Sequence, residues 1–289
     1  MIKETLLDLY HFIKNPTDTR FELSFKEKTS FIFILLIFEL IITFVLIAPI
    51  EWGMNLLIDV RTDRINYHET IWVMVFGYIM LMPLIEELIF RYFLRYKGFK
   101  TRFISIKKWK NIFHILVYLS ALMFGLVHLT NYTNNENVFY ILATFTIVSQ
   151  ILGGLIISFI RVRLSFFYGV FYHSLWNFIV LLALPGLILV IQNPIKVNSN
   201  KYSLSVHEKL FFDEKFNQEI KIDSANGKIF EMNIKQYSLQ HILDTLYKPK
   251  TFYVDDVLID AKFKSKYGVD KSKIVDIFGE NYDIKYNYY

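Results

Sequence analysis

Five long apolar runs divide the first two thirds of the chain. They cover Phe31–Ile50, Ile71 to about Tyr92, Ile112–Thr130, Val138–Ile160 and Leu164–Ile191. A bilayer core of about 30 Å requires roughly 20 helical residues, so each run predicts a membrane-spanning helix. The last run has about 28 residues, too long for one upright span and too short for two. We expect Pro185-Gly186 to kink or interrupt it.

The pattern changes at Asn193, where charged residues begin to alternate with apolar ones. Residues 218–234 predict a β-hairpin that turns at Asn226-Gly227. Ser238 is a typical N-cap for a short helix over 238–247. Three further elements follow: a strand over 251–259, a helix over 270–279 and a last strand over 282–289.

These elements predict three regions. They are an N-terminal amphipathic cytoplasmic segment at 1–30, a transmembrane helical domain at 31–192 and a soluble α+β domain at 193–289. The predicted fold class is an all-α polytopic membrane helical bundle with a small C-terminal α+β domain.

The composition agrees with a membrane protein. Hydrophobic residues make up 54% of the chain and charged residues 20%, and the mean hydropathy is +0.33, which is too apolar for a typical soluble protein. The chain has no cysteine, which excludes disulfides, a thiol nucleophile and thiolate metal sites. Its net charge is +5, but the basic residues lie beside the apolar runs, where they report membrane orientation. We therefore expect the lipid bilayer, and no nucleic acid, as a partner.

Lysine and arginine in the short loops predict the orientation. The loop Arg91–Lys110 carries eight of them and the loop Asn131–Asn137 carries none, while Arg161 and Arg163 follow the fourth run. Loops rich in these residues stay on the cytoplasmic side. We expect a multi-pass protein of a bacterial cytoplasmic membrane, with the N-terminus and the basic loop inside and the C-terminal domain outside.

Ionisable residues at the end of the second run contain the first candidate chemistry. Glu86, Glu87 and Arg91 follow fifteen uncharged residues. Charged groups in a membrane are costly to bury and usually face a cavity or a partner. Glu87 and Arg91 are four residues apart and can pair on one helix face, whereas Glu86 projects about 100° away. Glu86 is thus the carboxylate available for chemistry.

Two later runs carry the other candidates. Phe124 and His128 lie one helical turn apart on the third run, and His173 and Asn177 lie one turn apart on the fifth. Taken singly, such residues are often packing histidines, just as a Glu–Arg pair is often an interfacial anchor. Their occurrence in order on three predicted spans favours a shared functional site.

The sequence resembles the CAAX prenyl protease and bacteriocin-processing family, also called CPBP or ABI, of intramembrane glutamic endopeptidases. The family pattern is EExxxR, FxxxH and HxxxN, and this chain reads Glu86-Glu87-x-x-x-Arg91, Phe124-x-x-x-His128 and His173-x-x-x-Asn177. The resemblance covers about residues 71–191. It implies a helical bundle with a polar cavity that cleaves peptide bonds near the membrane.

The resemblance also implies a role for each residue. Glu86 would be the general base that activates water, and His128 would help to hold that water. His173 and Asn177 would donate hydrogen bonds to the developing oxyanion, while the pair of Glu87 and Arg91 would support the turn. This mechanism requires no metal and no cofactor, and the partner is a peptide or protein substrate at the membrane.

Straight upright helices conflict with this scheme. If they start at Ile71 and Ile112 on opposite faces, Glu86 and His128 lie about 16 Å apart in depth. We nevertheless expect the motifs to share one site. Glu39 also lies within a predicted span, outside the family pattern, and we expect it to line the cavity or to pair with another span.

Two other classes remain open. A zinc metalloprotease would use Glu86, His128 and His173 as ligands, and sensitivity to chelators would distinguish it. No HExxH motif is present. Alternatively, the chain could be a non-catalytic immunity or scaffold protein. The C-terminal domain lies outside the resemblance, and we expect it to bind a substrate or a partner protein. The sequence does not identify the substrate.

Overall fold

The computed structural model describes residues 1–58, 60–61, 69–98, 100–134, 136–255 and 257–286. Parts of four predicted segments lie outside the described residues, namely Phe99 of the basic loop, Asn135 of the loop Asn131–Asn137, Asp256 of the strand expected over 251–259, and 287–289 of the last strand. The protein is mostly helical (59%), with an antiparallel sheet in its C-terminal part. It divides into two compact units, Met1–Arg64 with Tyr78–Asn177, and Ile65–Gly77 with Phe178–Tyr289.

Among the described residues, five helical segments are long and apolar enough to cross a membrane, which is consistent with the predicted helical bundle. They are Phe25–Asn55, Val73–Phe90, Ile106–Asn131, Asn137–Arg163 and Phe166–Ile191. The α-helices within and around them are α1 (Ile2–Lys14), α2 (Phe25–Ile42), α3 (Ala48–Leu57), α4 (Met82–Phe90), α5 (Lys100–Phe103), α6 (Ile106–Val127), α7 (Asn137–Arg163), α8 (Phe166–Phe178) and α9 (Leu184–Ile191).

Three of the spans contain a widened, π-helical segment directly before a proline. These segments are Thr43–Ile47, Val73–Leu81 and Ile179–Ala183, and Pro49, Pro83 and Pro185 each occupy the second position of the α-helix that follows. Proline has no N–H and its ring clashes with the carbonyl four residues earlier, so a wider turn accommodates it without ending the helix. Pro185 therefore does not interrupt the fifth span, which stays helical to Ile191.

The N-terminal segment packs against the membrane helices of its unit. Leu9 and Phe12 of α1 are buried, and the Phe12 ring lies 5.3 Å from that of Phe159 on α7. Arg163, at the end of α7, donates to Asp8 at 2.8 Å. The apolar face of this amphipathic helix is thus covered by protein.

The second unit contains a five-stranded antiparallel sheet in the order β1-β2-β6-β4-β3 and a two-stranded sheet of β5 and β7. The strands are β1 (Ile195–Asn198), β2 (Ser203–Lys209), β3 (Glu219–Ala225), β4 (Lys228–Ser238), β5 (Phe252–Val254), β6 (Leu258–Asp270) and β7 (Ile284–Tyr286), and the helices are α10 (Leu239–Leu246) and α11 (Ile274–Gly279). The inner face of the large sheet packs on both helices through residues such as Met232, Phe263, Leu243 and Phe278.

Local sequence signals predicted much of this unit. The hairpin turns at Asn226 and Gly227, which have φ of 50° and 75°, the conformation that two-residue hairpins require. Ser238 caps α10 by accepting from the His241 N–H. The single strand expected over 251–259 is wrong, because β5 ends at Val254 and β6 begins at Leu258 in a different sheet.

Candidate active site

A buried ion pair closes the last turn of α4. Arg91 Nη1 donates to Glu87 Oε1 at 2.9 Å, and both side chains are fully buried. The guanidinium also lies over the Phe124 ring, 3.8 Å from its centroid. The four-residue spacing therefore forms the predicted pair, and the pair is part of the interior of the unit.

His173 lies between the two glutamates. Its Nδ1 is 3.0 Å from Glu87 Oε1, and its Nε2 is 3.4 Å from Glu86 Oε2. An ionised carboxylate can only accept, so Nδ1 carries the proton in the contact with Glu87. Glu87 thus binds Arg91 and orients the His173 imidazole with the same oxygen, a second role that the spacing did not reveal.

Glu86 differs from its neighbour in exposure. Its side chain is 22% exposed, whereas that of Glu87 is 0% exposed. The two carboxylates point in different directions because consecutive residues of a helix lie about 100° apart. Glu86 is therefore the more accessible of the two carboxylates.

Phe124 joins the third span to the other two. Its ring centroid lies 4.5 Å from that of His128 and 5.7 Å from that of His173. Together with the contact of His173 with Glu86, these ring contacts link the three motifs, whereas straight helices predicted a depth separation of about 16 Å between Glu86 and His128. The estimate assumed upright helices that begin at the membrane surface.

His128 lies at the C-terminal end of α6, where the helix tightens into a 3₁₀ turn. Its Nδ1 is 2.8 Å from the Phe124 carbonyl oxygen, an acceptor, so Nδ1 is the protonated nitrogen when the ring is neutral. Nε2 is then the hydrogen-bond acceptor of this imidazole. This tautomer is suited to receiving a hydrogen bond from water.

Asn177 contacts the backbone of the second span. Its Nδ2 donates to the Tyr78 carbonyl at 2.9 Å. In the π-helical segment this carbonyl would pair with the N–H five residues on, but that residue is Pro83, which has none. One amide hydrogen of Asn177 therefore binds the Tyr78 carbonyl oxygen, which lacks a backbone donor because Pro83 has no N–H. The second amide hydrogen remains for another acceptor.

Arg161 is a further member of the site, although its place in the sequence indicates only a loop charge. Its Nε donates to the carbonyl of Arg91 at 3.2 Å, and its Nη2 donates to that of Tyr92 at 3.1 Å. Carbonyls at a helix C-terminus lack partners within the helix, and a cation there stabilises them. Arg161 thus ties the end of α7 to the turn that bears Arg91.

The metal alternative gains no support from this arrangement. Among the described residues, no group of three or more His, Cys, Asp and Glu side chains is placed to hold a metal ion. The trio of Glu86, His128 and His173 is therefore not arranged as a ligand set in this structure.

A model of a known protein family matches the part of the chain that contains this cluster. The family model described as type II CAAX prenyl endopeptidase Rce1-like matches residues 68–179, which include all three motifs. No curated protein and no solved structure matches the chain.

Proposed function

We propose that the chain is a CAAX-type membrane protease, an intramembrane endopeptidase in which Glu86 activates the attacking water, and the match of residues 68–179 to the Rce1-like family model supports this proposal. The observation that carries this proposal is the contrast between the two glutamates. Glu87 is fully buried and held by Arg91 and His173, whereas Glu86 is partly exposed beside the same imidazole. One carboxylate is thus fixed in place, and the other is available to accept a proton.

In the proposed reaction, Glu86 takes one proton from water, while the Nε2 of His128 accepts a hydrogen bond from the water's other O–H, which stays intact. The water oxygen bonds to the carbonyl carbon of the scissile peptide, and the carbonyl oxygen becomes an oxyanion. The carbon–nitrogen bond then breaks, and the proton held by Glu86 passes to the leaving amine. Such general acid–base catalysis contributes typically about 100-fold or more in rate.

His173 and Asn177 are the proposed donors to the oxyanion. Because Nδ1 of His173 faces Glu87, a donation through Nε2 requires the doubly protonated ring. Asn177 would use the amide hydrogen that does not bind Tyr78. Removing one such donor typically lowers the rate by about 100 to 1000-fold.

The two alternatives make different demands. A zinc enzyme would need Glu86, His128 and His173 on one ion, and a non-catalytic scaffold protein would need none of them to act. The coexistence of a buried, oriented Glu87 with an accessible Glu86 favours the metal-free protease. The resemblance to the glutamic endopeptidases supports the same choice.

We also propose that the C-terminal domain binds an extended segment of a substrate or partner protein. β1 and β3 form the edges of the large sheet, and an edge strand can add the backbone of another chain. A photo-crosslinking residue in place of Lys221 on β3 should therefore capture a partner. The same residue in place of Lys262 on central β6 is the matched control, and equal capture would contradict edge pairing.

The test of the proposed function compares the termini of membrane proteins in cells that express the wild type, Glu86→Gln or the control Glu214→Gln. Glu214 is an exposed carboxylate of the second unit. We expect cleaved termini with the wild type and with Glu214→Gln that are absent with Glu86→Gln. The same set of termini in all three would contradict the proposal.

A further inference from the structure

Glu39 is a buried ionisable residue that the proposed reaction does not use. It lies within α2, and its side chain is almost wholly enclosed. Its Oε2 accepts a hydrogen bond from the hydroxyl of Tyr172 on α8, a fully buried tyrosine. Of the two roles expected for Glu39, the structure thus shows pairing with another span. A polar group buried in a membrane protein is costly unless it is paired, so this contact holds α2 and α8 together.

A glycine of α7 provides the space for this carboxylate. A Cβ added at Gly153 would lie 2.8 Å from Glu39 Oε1, closer than real contacts allow. The next glycine repeats the arrangement, since a Cβ at Gly154 would lie 3.0 Å from Arg91 Nη2. The glycine pair therefore seats two ionisable side chains in addition to allowing helices to pack closely.

Tyr172 immediately precedes His173, and consecutive helical residues project about 100° apart. α8 is thus held from two directions, by Glu39 through Tyr172 and by Glu87 through His173. A rotation of α8 about its axis would have to break the buried contact with Glu39 before it could move the imidazole away from Glu87. The Glu39–Tyr172 contact therefore limits the positions available to His173.

We infer that Glu39 and Tyr172 are positioning residues for His173: their hydrogen bond, seated against Gly153, fixes the rotation of α8 that places the imidazole between Glu86 and Glu87. The catalytic consequence rests on the proposed function, whereas the structural consequence for His173 does not. A misplacement of about 1 Å in an active site can lower the rate about 100-fold. We expect Tyr172→Phe to lower kcat by about 10 to 100-fold with little change in KM.

The first measurement needs no substrate. The imidazole ¹⁵N signals of the full chain, labelled at histidine and held in lipid nanodiscs, report the protonation and hydrogen bonding of each ring. The His173 signals are assigned by their loss in His173→Gln. Tyr172→Phe and Glu39→Leu should both shift them, whereas Glu39→Gln, which keeps an oxygen to accept from Tyr172, should not.

The matched control is Tyr118→Phe, which also removes one tyrosine hydroxyl from a helix of the same unit. That hydroxyl donates to the carbonyl of Ile13 at 2.8 Å. We expect this control to leave the His173 signals unchanged.

Three results would overturn the inference. They are unchanged His173 signals in both Tyr172→Phe and Glu39→Leu, an equal shift in Tyr118→Phe, or a change in all histidine signals together, which would indicate a general role in stability. Once the comparison of membrane-protein termini has identified a substrate, kcat can be measured. It should fall in Tyr172→Phe and in Glu39→Leu, and it should be higher in Glu39→Gln than in Glu39→Leu. If Glu86→Gln proved active while the His173 signals behaved as expected, the proposed reaction would fail and the positioning would stand.

Discussion

The buried pair of Glu87 and Arg91 makes a quantitative prediction about stability. Arg91→Met keeps most of the length of the side chain but leaves the Glu87 carboxylate enclosed without its cation. Removing one partner of a buried pair costs about 3–5 kcal/mol. The guanidinium also lies 3.8 Å from the Phe124 centroid, a contact worth about 0.5–2 kcal/mol. We therefore expect a loss of at least about 3 kcal/mol, or more than roughly 100-fold in the ratio of folded to unfolded protein.

The double variant Glu87→Gln/Arg91→Met separates charge from packing. It removes both charges, so no uncompensated carboxylate remains, and more than half of the lost stability should return. The matched control is Glu4→Gln, whose carboxylate forms an exposed pair with the N-terminal amine, and this variant should unfold like the wild type.

The assay is reversible unfolding in mixed micelles, followed by the fluorescence of the four tryptophans. A loss below about 1 kcal/mol in Arg91→Met would refute the reasoning, since exposed pairs lie in that range. A double variant no more stable than the single one would also refute it.

Three further predictions address other parts of the account. Gly153→Ala should displace the Glu39 carboxylate and lower activity. Glu39→Ala should itself lower activity, but it makes room for the added methyl group, so Gly153→Ala should cause no further loss in that background; an equal further loss in both backgrounds would contradict the seating of Glu39. Purified protein stripped with a strong chelator should keep its activity and contain no stoichiometric zinc, whereas restoration of a chelator-inactivated enzyme by zinc would favour the metalloprotease. Because the chain has no cysteine, single cysteines at Ser224 and Lys107 report sidedness with an impermeant maleimide on intact cells. Labelling at Ser224 alone is expected from the loop charges, and protection of both sites would place the C-terminal domain in the cytoplasm.

The five spans could be predicted because membrane insertion depends on the summed hydrophobicity of about 20 consecutive residues, a local property. The pairing of Glu87 with Arg91 is local as well, since four residues make one helical turn. The hairpin turn at Asn226-Gly227 and the cap at Ser238 follow from the same kind of short-range signal.

Contacts between distant segments could not be predicted. Tyr172 and Glu39 are 133 residues apart in sequence, and the contact of Asn177 with the Tyr78 carbonyl spans 99. Neither leaves a periodic signal in either segment. Pro83 gave an indirect signal. A proline within a span has no N–H, so a carbonyl of the preceding turn loses its backbone partner and needs another donor. The shared Glu87 oxygen likewise depends on how α4 and α8 pack.

The central claim is that Glu86 activates the water that cleaves the peptide bond. The most direct test is the rate at which purified, chelator-treated wild type and Glu86→Gln cleave a substrate. That substrate is one identified by comparing the termini of membrane proteins in cells. The account predicts that the wild type retains its rate and that Glu86→Gln falls to about a hundredth of it or less. Cleavage by Glu86→Gln at more than roughly a tenth of the wild-type rate would contradict the assignment of Glu86 as the base.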